Sequence, residues 1–276
     1  MSAREVPVDR APHPNPPERI RDDSFPMRGW GLAEPGELDR VVIVSPHLDD
    51  AVLSCGGFMA VHPGATVVTV FAGNPEAYPT PQRLWDVQSG FGPDDDVMEA
   101  RRQEDRAALG LLNATPVHLD FIEHTYLPGD QPVAAEILVD RIVATLRDLA
   151  PALVVAPFGL ANPDHDVTHR ACMLARDQLG SEVSWWLYED NGYKHIPGML
   201  AWRVSTLFRR GLWPTPVCPT VDHQRERKAA AVECYPSQLF ALDDDWNIRE
   251  KLEAPAPEQF WRLAPPPAGW EGLAGS

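Results

Sequence analysis

No stretch of this chain approaches the roughly 18 consecutive apolar residues that a membrane-spanning helix needs. Paired cysteines are missing as well. The four present, Cys55, Cys172, Cys218 and Cys234, lie far apart and form no CxxC, so they are expected to be free thiols in a reducing compartment rather than a disulfide framework. Positive charge is scarce. The 24 Lys and Arg face 40 Asp and Glu, for a formal net charge of −16. That balance argues against nucleic acid and anionic membrane as main partners, although a local basic pocket remains compatible with it. The N-terminal stretch "MSAREVPVDRAPHPNPPERIRDD" lacks the apolar centre of a signal peptide, so the expected location is cytoplasmic. No internal repeat is visible.

What remains is an ordinary globular composition, 44% hydrophobic and 23% charged over 276 residues, long enough for a large core. Apolar runs alternate with segments of helical period. "VVIVS" (41–45), "TVVTVFAG" (66–73), "VHLDF" (117–121), "ALVVAPFG" (152–159) and "VSWWLYED" (183–190) are predicted strands, with a further strand at 203–210. Helices are predicted over 51–62, 97–113, 133–149, 164–179 and 223–235. The 133–149 helix is amphipathic through Ile137, Val139, Ile142, Val143 and Leu146. Strands separated by helices of this length need crossover connections. The expected fold is therefore α/β and Rossmann-like, a largely parallel sheet with helices on both faces. The predicted organisation is a flexible arm over 1–35, a single α/β domain over 36–262 and a Pro/Gly-rich tail over 263–276. The Pro-rich segment from Ala254 onward is expected to wrap the surface.

In such sheets ligands bind beyond the carboxyl ends of the strands, where strand order reverses. The first strand runs straight into "PHLDD", which places His47, Asp49 and Asp50 at that edge. His47 and Asp50 form a His-x-x-Asp pair in a turn, suited to a catalytic zinc or a similar divalent ion. Taken alone, an Asp before a helix is as readily a cap. A second cluster, "APFGLANPDHDVTHRA" (156–171), ends the fourth strand and brings Asp164, His165, Asp166 and His169 to the same edge. With His47, Asp50 and His165 on a metal, the set is His₂Asp with a position open for water, and Asp49 beside it can act as general base. His169 lies one helical turn beyond His165, where a structural or supporting role outweighs ligation.

"PHLDD" followed downstream by "PDH" resembles the LmbE-like/PIG-L family of zinc-dependent deacetylases. "RRQE" (101–104), "YED" (188–190), "YPSQ" (235–238) and "PEQFWR" (257–262) add weaker support. The resemblance spans about Val41 to Arg262. It implies an LmbE-like fold and a Zn²⁺-dependent hydrolase that removes an acetyl or acyl group from a small-molecule N-acylated amino-sugar conjugate. By position it implies His47, Asp50 and His165 as the metal triad and Asp49 as the base. It makes Arg101 a substrate contact, with Glu104 orienting it or pairing with it, and Glu123 a contact to sugar hydroxyls. One departure stands out. The family usually reads His-Pro-Asp-His in its second motif, and this chain reads Asn162-Pro163-Asp164-His165. The missing histidine commonly stabilises the tetrahedral intermediate or protonates the leaving amine. Asn162 can donate to an oxyanion but cannot act as an acid.

After the fifth strand, Tyr193 and His195 can reach the site from another loop, His195 as a substrate contact or as a swinging acid. The loops 74–96 and 190–202 are expected to shape specificity. Two rival readings stand beside the deacetylase. One is a manganese-dependent phosphoesterase, which would need Asp164 and Asp166 as bridging carboxylates. The other is a non-catalytic binding protein that kept the fold, and an intact Asp49 argues against it.

Overall fold

In a computed structural model of the chain, the described residues are 31–219, 224–253 and 258–266. The arm expected over 1–35 falls almost wholly outside them, as do residues 267–276 of the expected tail. Seven strands form one sheet: β1 (Val41–Ser45), β2 (Thr66–Thr69), β3 (Thr115–His118), β4 (Leu153–Pro157), β5 (Ser184–Tyr188), β6 (Trp213–Val217) and β7 (Phe260–Ala264). Their order is β3-β2-β1-β4-β5-β7-β6. The first five are parallel, and β7 pairs antiparallel with both β5 and β6. The helices are α1 (Asp50–Val61), α2 (Leu84–Gln88), α3 (Val97–Leu111), α4 (Ala135–Leu149), α5 (Pro163–Leu179), α6 (Met199–Arg209), α7 (Arg225–Val232), α8 (Pro236–Trp246) and α9 (Ile248–Glu253). None of them is long and apolar enough to cross a membrane.

The unbroken apolar runs of β1, β4 and β5 are explained by the two faces they serve. A strand turns successive side chains to opposite faces. Val41, Ile43, Leu153, Val155, Trp186 and Tyr188 therefore enter one core, which α1, α3 and α7 cover. Val42, Val44, Val154, Ala156, Trp185 and Leu187 enter a second core beneath α4 and α5. Leu138, Val139, Ile142, Val143 and Leu146 form the buried stripe of α4. Ile137, predicted for that stripe, is 59% exposed. All four cysteines are free, with Cys55 and Cys172 buried in the cores.

Three local expectations are corrected. Residues 203–210, predicted as a strand, lie mostly in α6, where Leu207 and the flanking Leu200 and Val204 pack at helical spacing on the second core. The strand β6, "WPTPV", was not foreseen. Its prolines cannot donate to a ladder, and they are tolerated because β6 is the sheet's edge. The segment expected to wrap the surface instead returns as β7 between β5 and β6, with Phe260 wholly buried.

Helix α1 has ten buried residues because α7 and the approach to β7 cover its outer side. The close approach needs Gly56 and Gly57. A Cβ on Gly56 would lie 2.9 Å from Lys228 Cγ, and one on Gly57 would lie 3.2 Å from Glu258 Oε1. The Glu258 carboxylate accepts the Gly57 and Phe58 backbone N–H groups at 2.7 and 2.9 Å and pairs with Lys228 Nζ. Its removal leaves a partly buried ammonium without its partner. Glu258→Ala is expected to lower the unfolding free energy by about 2 kcal/mol, the range for hydrogen bonds to charged groups. Urea denaturation measures it, and an unchanged midpoint would show that the staple contributes nothing.

Candidate metal centre and active site

The sheet's order reverses between β1 and β4, and the two ligand-rich strand ends meet there. At the end of β1, Ser45 Oγ donates to the His47 carbonyl at 2.7 Å and accepts the Ala51 N–H at 3.0 Å. The His47 N–H donates to Asp50 Oδ2 at 2.9 Å. These bonds pin the turn. Asp49 occupies the N-cap position of α1 but makes no side-chain capping bond, so its carboxylate stays available although the residue is only 8% exposed.

At the end of β4 the chain turns at Gly159, whose φ is +73° and whose missing Cβ would meet His165 O at 2.6 Å and His169 Cβ at 2.5 Å. Only glycine combines that backbone angle with so close an approach. Asn162 then caps α5, its Oδ1 accepting the Asp164 N–H at 2.8 Å, and Pro163 occupies the first turn. The first turn of α5 therefore aims Asp164 and His165, both buried, at the β1 turn.

The ligand atoms of His47, Asp50 and His165 lie within 4.8 Å of one another. Asp50 Oδ2 is 3.2 Å from His47 Nδ1 and 3.1 Å from His165 Nε2. Each imidazole is braced on its other nitrogen. His47 Nε2 lies 3.1 Å from Asp164 Oδ2, and His165 Nδ1 lies 2.6 Å from Asp190 Oδ1. Asp190 is further held by the N–H groups of Gly159 and Leu160. Imidazoles backed by carboxylates are the usual surroundings of metal-bound histidine, so the donor set fits a divalent ion. His47, Glu123 and Asp164 form a second close group, but its His47 Nε2 is already tied to Asp164.

The other acids and histidines of the second motif point elsewhere. Asp166 pairs with Arg203, and Asp164 is wholly enclosed by its histidine partners. Neither is placed to bridge two metals. His169 Nδ1 donates to the Pro157 carbonyl at 2.9 Å, and burial pushes its pKa down to about 3, which leaves it a neutral strut.

The adjacent carboxylates of the first motif are driven apart electrostatically. Burial, followed by the charge of Asp50, raises Asp49 to about 7, against the pull of His47, His165 and Arg101. Asp50 is held far below the usual carboxylate range: His165 and His47 overcome the effect of burial. His165 is raised to about 9, because Asp50 and Asp190 outweigh a burial that alone would lower it.

Beside the cluster opens a cavity of about 410 Å³. Arg101 and Glu123 both line it. The Arg101 guanidinium is already held, by Asp86 at 2.9 Å, Tyr126 at 3.2 Å and Glu123 at 3.3 Å. Glu104 does not pair with Arg101. It caps α8 by accepting from Ser237 N and Oγ, so "RRQE" and "YPSQ" are two halves of one contact. Asn162 lines the cavity, and its side chain hydrogen-bonds Tyr193. His195 is exposed and is not among the lining residues, whereas Tyr193 is, edge-on to His165 with ring centroids 5.1 Å apart. The 74–96 loop contributes Leu84, Trp85 and Asp86, and 190–202 contributes Asn191 to Tyr193. Gln238, Leu242 and Ile248 of α8 and α9 complete the wall.

Three residues escaped the sequence reading. Asp190 carries no role in the pattern "YED", Asp164 stands in its motif as a ligand candidate rather than a brace, and His124 carries no motif of its own beside Glu123. His124 Nδ1 lies 2.9 Å from Asp164 Oδ2, and the residue lines the cavity. The usable signal was its place just after β3, at the same sheet edge as the two motifs.

Residues 42–176 match the family model PIG-L, GlcNAc-PI de-N-acetylase. Among solved structures, the antimicrobial A40926 pseudoaglycone deacetylase Dbv21 is 30% identical with a TM-score of 0.67, over 83% of this chain and 98% of that one. The zinc-inhibited form of teicoplanin deacetylase Orf2 is 27% identical with a TM-score of 0.66, over 83% and 100%. A deacetylase–bog complex from the teicoplanin pathway is 28% identical with a TM-score of 0.67, over 83% and 100%. No curated protein sequence matches the chain.

Metal binding must displace the proton from His165, whose pKa in the metal-free protein is about 9. Divalent-metal affinity is therefore expected to rise with pH up to about 9 and to fall by about tenfold per unit below it for each proton displaced. Competition titration against a chromophoric chelator at several pH values measures this, and a flat profile between pH 6 and 8 would contradict it. His165→Ala should lose stoichiometric metal by elemental analysis.

Proposed function

The chain belongs to the PIG-L, or LmbE-like, deacetylase family, and from that premise we propose that it is a zinc-dependent hydrolase that removes an acetyl or short acyl group from the nitrogen of an amino-sugar conjugate. One observation carries the reading. A buried carboxylate with no capping role, Asp49, stands at a pKa of about 7 next to a braced His₂Asp set in a cavity wide enough for a sugar. When bound, a divalent ion supplies Lewis acidity, polarising the amide carbonyl and acidifying water. His47, Asp50 and His165 would hold it, with Asp164 and Asp190 fixing the two imidazoles.

The chain's own groups then account for the remaining steps. Asp49 accepts the proton of the attacking water, and a pKa near neutrality is what a general base at physiological pH requires. The Asn162 amide and the Tyr193 hydroxyl it contacts offer donors to charge developing on the carbonyl oxygen. Glu123, held by Arg101, presents an acceptor for sugar hydroxyls, so Arg101 positions a contact rather than making one. Part of the lining is apolar: Leu84, which is 71% exposed, Trp85, Leu242 and Ile248. This supports an amino sugar attached to an apolar aglycone.

The phosphoesterase reading loses its bridging carboxylates to other partners, Asp166 to Arg203 and Asp164 to two histidines. The test is amine release from octyl and methyl N-acetylglucosaminides by the zinc-loaded protein, with and without chelator. Turnover is expected to be chelator-sensitive and faster on the octyl compound. Asp49→Asn should keep its metal and lose at least about 10²-fold in kcat, the low end for general acid–base catalysis. Full activity in that variant would remove Asp49 from the chemistry. Arg101→Ala should disturb the cavity wall and raise KM while leaving metal content intact.

A further inference from the structure

Hydrolysis of an amide requires more than a base. When the carbon–nitrogen bond breaks, the electron pair goes to nitrogen, and an alkylamine cannot leave as the anion, so an acid must deliver a proton to it. The cavity imidazoles differ in what their nitrogens already do. His47 and His165 each have one nitrogen in the ligand cluster and the other on a carboxylate. His169 is a buried strut and His195 lies off the cavity wall. His124 is different. It lines the cavity with its side chain 15% exposed, its Nδ1 is held by Asp164, and its Nε2 has no partner among the described residues.

The brace behind it is a built one. Asp164 is wholly buried, and its Oδ2 accepts both the Nδ1–H and the backbone N–H of His124, at 2.9 and 3.0 Å. That double contact fixes the ring's rotation and the proton on Nδ1, and it leaves Nε2 unpaired in a residue that lines the cavity. A carboxylate on one imidazole nitrogen with the other facing the reacting groups is the arrangement by which a histidine moves protons in hydrolases. Resting on the deacetylase reading above, we propose that His124 is the catalytic acid that protonates the departing amine, taking the place that Asn162 cannot fill. Water's hydroxyl joins the carbonyl carbon and its proton goes to Asp49. The carbon–nitrogen bond then breaks, and His124, entering this step as the imidazolium with its Nδ1–H on Asp164, gives its Nε2 proton to the nitrogen and is left neutral. Exchange with solvent returns both side chains to their starting forms. Asp164 keeps its place throughout, linking His124 to His47.

The experiment compares leaving groups. The probes are octyl N-acetylglucosaminide and the same glucoside carrying its acetyl group on sulfur at C2, since a thiolate leaves without protonation. The variant is His124→Asn, whose amide can still donate to Asp164. Expected is a fall in kcat of about 10²-fold or more on the amide, as for loss of a general acid, with the thioester rate within about threefold of wild type and zinc content unchanged. In the metal-free protein, ¹⁵N-resolved imidazole spectra should show a proton on His124 Nδ1 that shifts in Asp164→Asn. Equal losses on both probes, or none on the amide, would overturn the assignment and leave Asp49 to serve as base and then acid. A His124 without an Nδ1 proton would also overturn it. Wild-type protein inert toward both probes would instead overturn the deacetylase reading, and this inference with it.

Discussion

The active edge of the sheet depends on one oxygen, Oδ2 of Asp50. It accepts the backbone N–H of His47 and stands between the imidazoles of His47 and His165, so a single carboxylate ties the end of β1 to the start of α5. Those segments are more than a hundred residues apart in the chain, and the strand-order reversal is what makes them neighbours. Burial, and after it the charge of the strongly ionised Asp50, pushes the neighbouring Asp49 the other way. Two adjacent, chemically identical side chains thus separate into one held firmly ionised and one poised near neutrality, the division that the proposed ligand and base roles need, and it is set by surroundings rather than residue type.

The same principle recurs one layer out. Asp164 and Asp190 are buried carboxylates whose cost is offset by imidazole and backbone donors. Each orients a histidine that the cavity uses. Asp164 serves two, so the metal side and the proposed proton-donating side of the cavity share one anchor. Removing it would disturb both at once, whereas a change at His124 or His47 separates them.

The parts of this arrangement visible in the sequence were those written locally. β1 and β4 read as strands because their apolar runs are continuous, and the polar clusters that end them could be placed at one edge from topology alone. Helices α4 and α5 were equally plain from period. The α6 segment misled because its valine and threonine favour strands, while the faces that bury Leu207 are set by the core beneath. β6 was hidden by prolines that only an edge tolerates, and β7 by its dependence on strands already formed. At the site, ligand types were legible and supports were not. Whether Asp164 ligates or braces, and which nitrogen of His124 is left unpaired, is decided by partners that converge from separate loops.

The placement of β7 governs when this protein can exist. The strand that fills the sheet between β5 and β6 is the last in sequence among the described residues, and Glu258 just before it staples the helix that follows the β1 turn, 201 residues earlier at Gly57. A chain still being synthesised has β1, α1, β4 and α5 long before it has that strand. Its first helix lacks the Glu258 contact and its fifth strand an antiparallel neighbour until residues near 264 emerge. Such long-range pairing is slow to form. Completion of the sheet is thus withheld until β7 has been made, and a copy truncated ahead of Glu258 would carry His47, Asp50 and His165 on a sheet that lacks the strand joining β5 to β6.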